Sequence, residues 1–239
     1  MNKRELTAFA NKIGIEFNDL DKFKTALTHR SYLNEIDDSD QRHNERLEFL
    51  GDAVLELIVS EYLFETYTDR PEGELTSFRA ATVKTESLAA ASREMGVGDH
   101  LMMSKGEEST GGRDKDYLLA NAFEAILGSI YVDQGYQKCK EFVVRWLLHK
   151  IDNIVENRLD IDAKTKFQEL AQSLFRSTPI YKVLNEEGPD HEKIFTMAVV
   201  VDGQVFGEGV GTSKQKAEEQ AAAHAIQQLH KKRKIARIA

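Results

Sequence analysis

The sequence predicts an all-α N-terminal domain followed by a small α+β domain with the order α-β-β-β-α. Three observations predict it. From about residue 5 to 152 apolar residues recur at three- and four-residue spacings, with no convincing alternating strand among them. Residues 155–162 are polar and without period, as a linker would be. Beyond them Phe195, Met197, Val199 and Val201 alternate, and Asp202-Gly203 supplies a two-residue hairpin turn.

The elements follow in order. Leu6, Phe9, Ala10 and Ile13 mark one face of a first helix. Leu47, Leu50, Val54, Leu57, Ile58 and Tyr62 mark a longer one. Leu88, Ala89, Ala91, Ser92 and Met95 form a third, ended by Gly96. Leu118 to Val132 is a strongly apolar helix followed by Gly135, and Phe142 to Ile154 closes the domain, which spans 1–154. Asn34 to His43 and Ser104 to Asp116 read as polar loops, the second as a flexible connection with three glycines. In the second domain, 163–231, Thr165 to Phe175 is an amphipathic helix. Strands over Ile180–Leu184, Phe195–Val201 and Gln204–Gly209 precede a last helix, Lys214 to Leu229. Ala217, Ala221, Ala225 and Leu229 give that helix a stripe suited to close packing on a sheet. Residues 232–239 are a basic tail.

Composition bounds the function. The chain has 239 residues, 41% of them hydrophobic and 30% charged. No run approaches the roughly 18–20 apolar residues of a membrane span, so no membrane partner is expected. The N-terminus does not lead into an apolar signal segment. The single cysteine, Cys139, excludes an internal disulfide and a cysteine-based zinc site, and a reducing, cytoplasmic setting is expected. The net charge is −8, its excess lying wholly in the N-terminal domain, while Lys231-Lys232-Arg233-Lys234 is a basic run.

The chemistry concentrates in His43-Asn44-Glu45-Arg46-Leu47-Glu48-Phe49-Leu50-Gly51-Asp52-Ala53-Val54-Leu55. On a helix Glu45, Glu48 and Asp52 share one face and repel one another. Beside Leu47, Phe49, Leu50 and Val54 they would be partly desolvated, which raises the cost. A divalent cation would relieve it; a solvated acidic face is the other reading. Asn121 and Glu124 stand at i and i+3 inside an apolar run, where a glutamate is seldom buried without a partner. Two helices presenting oxygen ligands to each other make a hard-cation site suited to Mg²⁺ or Mn²⁺; a structural hydrogen bond from Asn121 and a snorkelling Glu124 is the alternative.

In the second domain Gln168 and Glu169 lie on the first helix, and Gly188-Pro189-Asp190-His191 is a tight loop. Alone, His191 reads more readily as a loop histidine. Lys214 and Lys216 in the first turn of the last helix oppose its dipole, which makes sense if a phosphate binds there. Phe195 and Phe206 read as core.

The run His43–Leu55 resembles the signature of the ribonuclease III family. Ala26-Leu27-Thr28-His29-Arg30-Ser31-Tyr32 and the stretch Asn121 to Gly128 match that family too, and residues 163–230 resemble a double-stranded RNA-binding domain. The resemblance covers nearly the whole chain. It implies a homodimeric, Mg²⁺-dependent endonuclease, with Mn²⁺ as a substitute, that cuts both strands of double-stranded RNA in rRNA and mRNA processing. The products would carry 5′-phosphate and 3′-hydroxyl ends with short 3′ overhangs. Carried over, Glu48, Asp52 and Glu124 occupy metal-ligand positions, with Asp52 and Glu124 catalytic. Glu45, and Glu72 in an Arg-Pro-Glu-Gly turn, match residues of the dimer interface and assembled cleavage site. Gln168, Glu169, His191, Lys214 and Lys216 match RNA contacts. The fourth metal position, an Asp in the family pattern, is Asn121 here; an amide keeps a carbonyl oxygen but loses the charge. A double-stranded RNA-binding protein with a weakened nuclease domain is therefore the rival reading.

Overall fold

The computed structural model describes residues 1–36, 41–156, 158, 162–189 and 192–235, the last six of these by backbone alone. It divides into two units, Met1–Asp160 and Ile161–Ala239. The first is helical, the second a three-stranded antiparallel sheet with two helices, as the sequence predicts.

Local chemistry sets the helix ends in the first unit. Helix α1 (Lys3–Ile13) opens with a capping box: the Glu5 amide donates to Asn2 Oδ1 at 3.0 Å, and the Asn2 amide donates to Glu5 Oε2 at 2.8 Å. The unit continues with α2 (Leu20–Ala26), α3 (Glu45–Thr66), α4 (Glu72–Val83), α5 (Thr85–Met95), α6 (Lys105–Ser109), α7 (Asp116–Gln134), α8 (Tyr136–Trp146) and α9 (Ile151–Glu156). Sequence periodicity does not reveal α2 or α4. In α4 only Phe78, Ala81 and Thr82 are buried, too few to write a visible period, and Gly73 interrupts its first turn. Glu72 is thus the first residue of a helix capped by Pro71 rather than part of a turn.

Helix α7 is the axis of the core. Leu118, Leu119, Ala122, Phe123 and every residue from Ala125 to Ile130 are buried. It packs chiefly on α3, whose buried stripe is Val54, Leu55, Ile58, Val59 and Leu63. The predicted stripe differs: Leu57, placed in it, is 57% exposed. Helix α3 is apolar on more than one face, so spacing alone could not say which face turns inward.

Where α3 crosses α7 their backbones touch. A Cβ on Gly51 would stand 1.8 Å from the Glu124 carbonyl oxygen, and one on Gly128 would stand 2.1 Å from the Leu47 carbonyl oxygen. No residue but glycine fits either position.

Residues 104–116, expected to be a flexible connection, are ordered by their own charges. Lys115 Nζ pairs with Glu107 at 2.7 Å, and Arg113 pairs with Glu108 at 2.7 Å. Arg113 also donates to the Gly98 and Leu101 carbonyls. The same mixed charge that suggested a loop supplies the partners that fix it.

In the second unit, Asp162 caps α10 (Ala163–Phe175), accepting from the amides of Lys164 at 2.9 Å and Thr165 at 3.0 Å. The strands β1 (Ile180–Glu187), β2 (Ile194–Val201) and β3 (Gln204–Gly211) pair in that order, and α11 (Lys214–Ile235) follows. Asp202 and Gly203 both have positive φ, 49° and 82°, the conformation a tight hairpin needs. Phe167, Ala171, Val199, Val201, Ala221, Ala222 and Ala225 form the core. Gly207, Gly209 and Gly211 let β3 lie directly against the alanine side of α11. Phe206 packs on Phe167 and Phe175, in keeping with a core role. Asp37, Asp38 and Asp40, His191, half of the linker and the side chains of the basic run lie outside the described residues.

Candidate active site

The α3–α7 crossing places the carboxylates. Gly51 lies between Glu48 and Asp52 on α3, and it meets the backbone of Glu124 on α7. With no side chain intervening, the two acidic helical faces are held side by side. Burial pushes the Glu124 carboxyl up to about 7, and repulsion from Asp52, Glu48 and Glu56 adds to it. Burial also raises Glu48, with Glu45 and Asp52 contributing, while a hydrogen bond from the Asn121 side chain opposes the rise. Glu45, Glu48, Asp52, Asn121 and Glu124 therefore share one electrostatic neighbourhood. Phe49 does not help to desolvate them, contrary to expectation: it is 81% exposed. The burial of Glu124 follows from its place on the apolar face of α7.

These groups fit a hard divalent cation in chemistry. All donors are oxygens, and Glu48, Asp52 and Glu124 repel one another. They are not closed into a cage: among the described residues, no group of three or more His, Cys, Asp or Glu side chains is gathered tightly enough to hold a metal.

Beside the cluster opens a cleft of about 650 Å³, lined by Glu45 and Glu48 of α3, by Tyr117 and Asn121 of α7, and by His29, Arg30, Ser31 and Glu107 from other segments. The wall formed by His29, Arg30, Ser31 and Glu107 is not marked as a site by the sequence alone. The Ala26–Tyr32 motif was visible, but nothing in its spacing says that it faces Glu48. It is brought there by backbone hydrogen bonds. The amides of Met102 and His29 donate to the carbonyls of Leu27 and Met102, both at 2.8 Å, and the Asn44 amide donates to the Thr28 carbonyl at 2.9 Å. Three segments far apart in sequence are thereby tied at the start of α3.

Glu72 stands apart from this cleft. It lines a separate groove between α3 and α4 with Leu57, Phe64, Leu75 and Arg79. In the second unit Gln168 and Glu169 are exposed on α10. Lys214 Nζ lies 2.8 Å from Glu186 Oε1 and 5.5 Å from the centre of the Phe195 ring, so it has a partner in the chain itself. Lys216 is exposed, and its amide donates to Ser213 Oγ at 3.2 Å. No described helix is long and apolar enough to cross a membrane.

Comparison with known proteins matches both units. A ribonuclease-III-like family pattern covers residues 20–151, and a double-stranded RNA binding motif covers residues 163–229. The chain is 46% identical to a protein named Ribonuclease 3 from Pelotomaculum thermopropionicum, over 93% of this chain and 92% of that one. It is 44% identical to Ribonuclease 3 of Lactococcus lactis subsp. lactis, over 90% and 93%. The solved nuclease domain of ribonuclease III from Campylobacter jejuni is 38% identical, with a TM-score of 0.55, over 61% of this chain and 94% of that one. Another structure of that domain, 39% identical with a TM-score of 0.54, over 58% and 92%, is titled for flexibility in a region involved in dimer formation. With a nuclease domain of this kind followed by a double-stranded RNA binding motif, the chain belongs to the ribonuclease III family.

Proposed function

We propose that the protein is a homodimeric, Mg²⁺-dependent endoribonuclease that cuts both strands of double-stranded RNA in the cytoplasm. Its products carry 5′-phosphate and 3′-hydroxyl ends and serve rRNA and mRNA processing. The observation that carries the reading is the meeting of Glu48 and Asp52 on α3 with Asn121 and Glu124 on α7 across the Gly51–Gly128 contact. These four side chains would hold the metal. When bound, it supplies Lewis acidity toward the attacking water and the phosphate. The chain's own part is to fix the oxygen donors, to keep Glu124 poorly solvated, and to offer the cleft beside Glu48 to the RNA strand. Incubating the full-length protein with a long RNA duplex and Mg²⁺, with and without EDTA, tests the reading; cutting that persists in EDTA, or no cutting at all, sinks it.

The dimer is supported by Phe49, Leu57 and Phe64, 81%, 57% and 75% exposed and spaced two turns apart along α3. A second copy covering this apolar face would lie against the groove that Glu72 lines, which is how Glu72 would reach an assembled cleavage site.

Asn121 favours the rival reading of a weakened nuclease. Its hydrogen bond favours the ionised form of Glu48, but the amide itself brings no charge, and a less negative cage attracts a cation less. Asn121→Asp should lower the Mg²⁺ concentration for half-maximal cleavage by about threefold or more, with Mn²⁺ narrowing the gap. Coincident curves of rate against metal concentration would place residue 121 outside the metal's reach. Activity in the Asp form alone would establish the RNA-binding protein.

RNA affinity is assigned chiefly to the second unit, through phosphate and 2′-hydroxyl contacts. Gln168 and Glu169 on α10, His191 and the start of α11 are the proposed contacts. Lys214 must leave Glu186 to reach a phosphate, whereas Lys216 need not leave a strand carboxylate. Replacing both with Ala should weaken binding of all duplexes alike and flatten the dependence of log affinity on log salt, by about one to two in slope. An unchanged slope would remove both lysines from the interface.

A further inference from the structure

The cleft beside Glu48 has an uneven charge. Glu45, Glu48 and Glu107 line it, and among its lining residues Arg30 is the one lysine or arginine. Glu107 is already met by Lys115 at 2.7 Å. A phosphodiester entering this space would face carboxylates on α3 with a single guanidinium opposite them.

Arg30 is built to exchange partners. Its side chain is 73% exposed, and its guanidinium stands 3.6 Å from a Glu45 oxygen whose side chain is itself 50% exposed. A pair so open to water holds only weakly. A phosphate, by contrast, matches the guanidinium fork with two parallel charge-assisted hydrogen bonds. The base of Arg30 is firm, because the bonds joining Leu27, Thr28 and His29 to Met102 and Asn44 hold its backbone against the start of α3.

His29 is set as a neutral neighbour. The Ser31 amide donates to Nδ1 at 3.4 Å, and Ser31 Oγ lies 2.8 Å from the same nitrogen while accepting from the Ser104 amide at 3.0 Å. Nδ1 is therefore the acceptor, and the ring proton sits on Nε2. Burial holds the imidazole below its ordinary pKa, so it adds a donor to the wall without a second charge.

We infer that Arg30, backed by His29, is the nuclease unit's own grip on a phosphate of the strand to be cut, setting that strand against Glu48, Asp52 and Glu124. The inference rests on the proposed cleavage of duplex RNA. The grip orients the strand, while the second unit supplies most of the affinity.

Single-turnover cleavage of one defined duplex, by the full-length protein and its Arg30→Ala and Arg30→Lys variants, tests it. Arg30→Ala should cut about 10- to 100-fold more slowly, the scale of a misplaced reacting group. Arg30→Lys should recover part of the loss. Duplex affinity in EDTA should change by less than about threefold, since most of it comes from phosphate contacts elsewhere. The Mg²⁺ midpoint and Tm should stay where they are. Cleavage by Arg30→Ala within twofold of the parent overturns the assignment. So does a loss that comes with a lower Tm or a shifted Mg²⁺ midpoint, because Arg30 would then act on the fold or on the metal. If the parent protein binds duplex but does not cut it in Mg²⁺, the proposed function falls and takes the grip with it. If the parent cuts and Arg30→Ala keeps pace, the grip alone falls.

Discussion

Glu124→Gln should lower duplex cleavage by 10²- to 10³-fold or more, on the scale of deleting one group that acts in a transition state, and should also make the metal-free protein more stable near neutral pH. The second effect follows from the carboxyl's position. Burial and three neighbouring carboxylates hold it near 7, against an ordinary 4.5. The folded state therefore keeps the proton more tightly than the unfolded state does. As pH rises from about 4.5 to about 7, the unfolded chain ionises first and the native state loses ground. Glutamine is neutral throughout and escapes that loss. Because water still reaches part of Glu124, the gain is about 1–2 kcal/mol rather than the full shift, or a few degrees in Tm. Thermal unfolding of the two proteins in EDTA should differ at pH 8 and converge at pH 5. Adding Mg²⁺ should stabilise the parent more than the variant. Retained Mg²⁺-dependent cutting by Glu124→Gln would remove the residue from the site, and equal Tm values at pH 8 would show that its ionisation costs the fold nothing.

Gly51→Val should be the most disruptive single substitution in the nuclease unit. Its Cβ would fall 1.8 Å from the Glu124 carbonyl oxygen and 2.9 Å from the Gly128 amide nitrogen, both backbone atoms deep in the core. Neither can swing aside as a side chain could, so α3 and α7 must part. Overpacking of this kind costs about 3 kcal/mol or more, a large share of a domain's stability. Urea unfolding should show a lower midpoint for the first unit, with the duplex-binding unit still folded by circular dichroism and still holding RNA. Gly128→Val should behave alike, since its Cβ would strike the Leu47 carbonyl. A midpoint unchanged in either variant would mean that the two backbones do not approach so closely.

What could be read from the sequence was what periodicity and short-range chemistry write. The faces of α1 and α5, the apolar α7, the Asp202-Gly203 turn and the alanine stripe of α11 all depend on neighbours within a few residues. The carboxylate face of α3 is of that sort too, because Glu45, Glu48 and Asp52 lie on one helix. The other wall of the cleft is not. His29 and Arg30 face Glu48 only through the bonds to Met102 and Asn44, and no local pattern records such a meeting. Nor could the exposure of Phe49 be inferred, since phenylalanine beside leucines in a helix ordinarily signals burial. Lys214 looked available for a ligand because its partner, Glu186, sits on a strand remote in sequence.

The tie between Thr28, Asn44 and Met102 also governs when the cleft can exist. Helices such as α1 or α5 can begin to form from local contacts, whereas this junction waits on segments widely separated along the chain, and contacts of that kind form slowly. Synthesis adds about 5–20 residues each second. For several seconds, then, a nascent chain carries Glu45 and Glu48 on the ribosome without the wall that faces them, and longer still without Glu124. A growing polypeptide of this sequence holds no finished cleft with which to attack the RNA around it. The carboxylate cluster itself is complete only late in synthesis, once α7 has emerged and closed against α3.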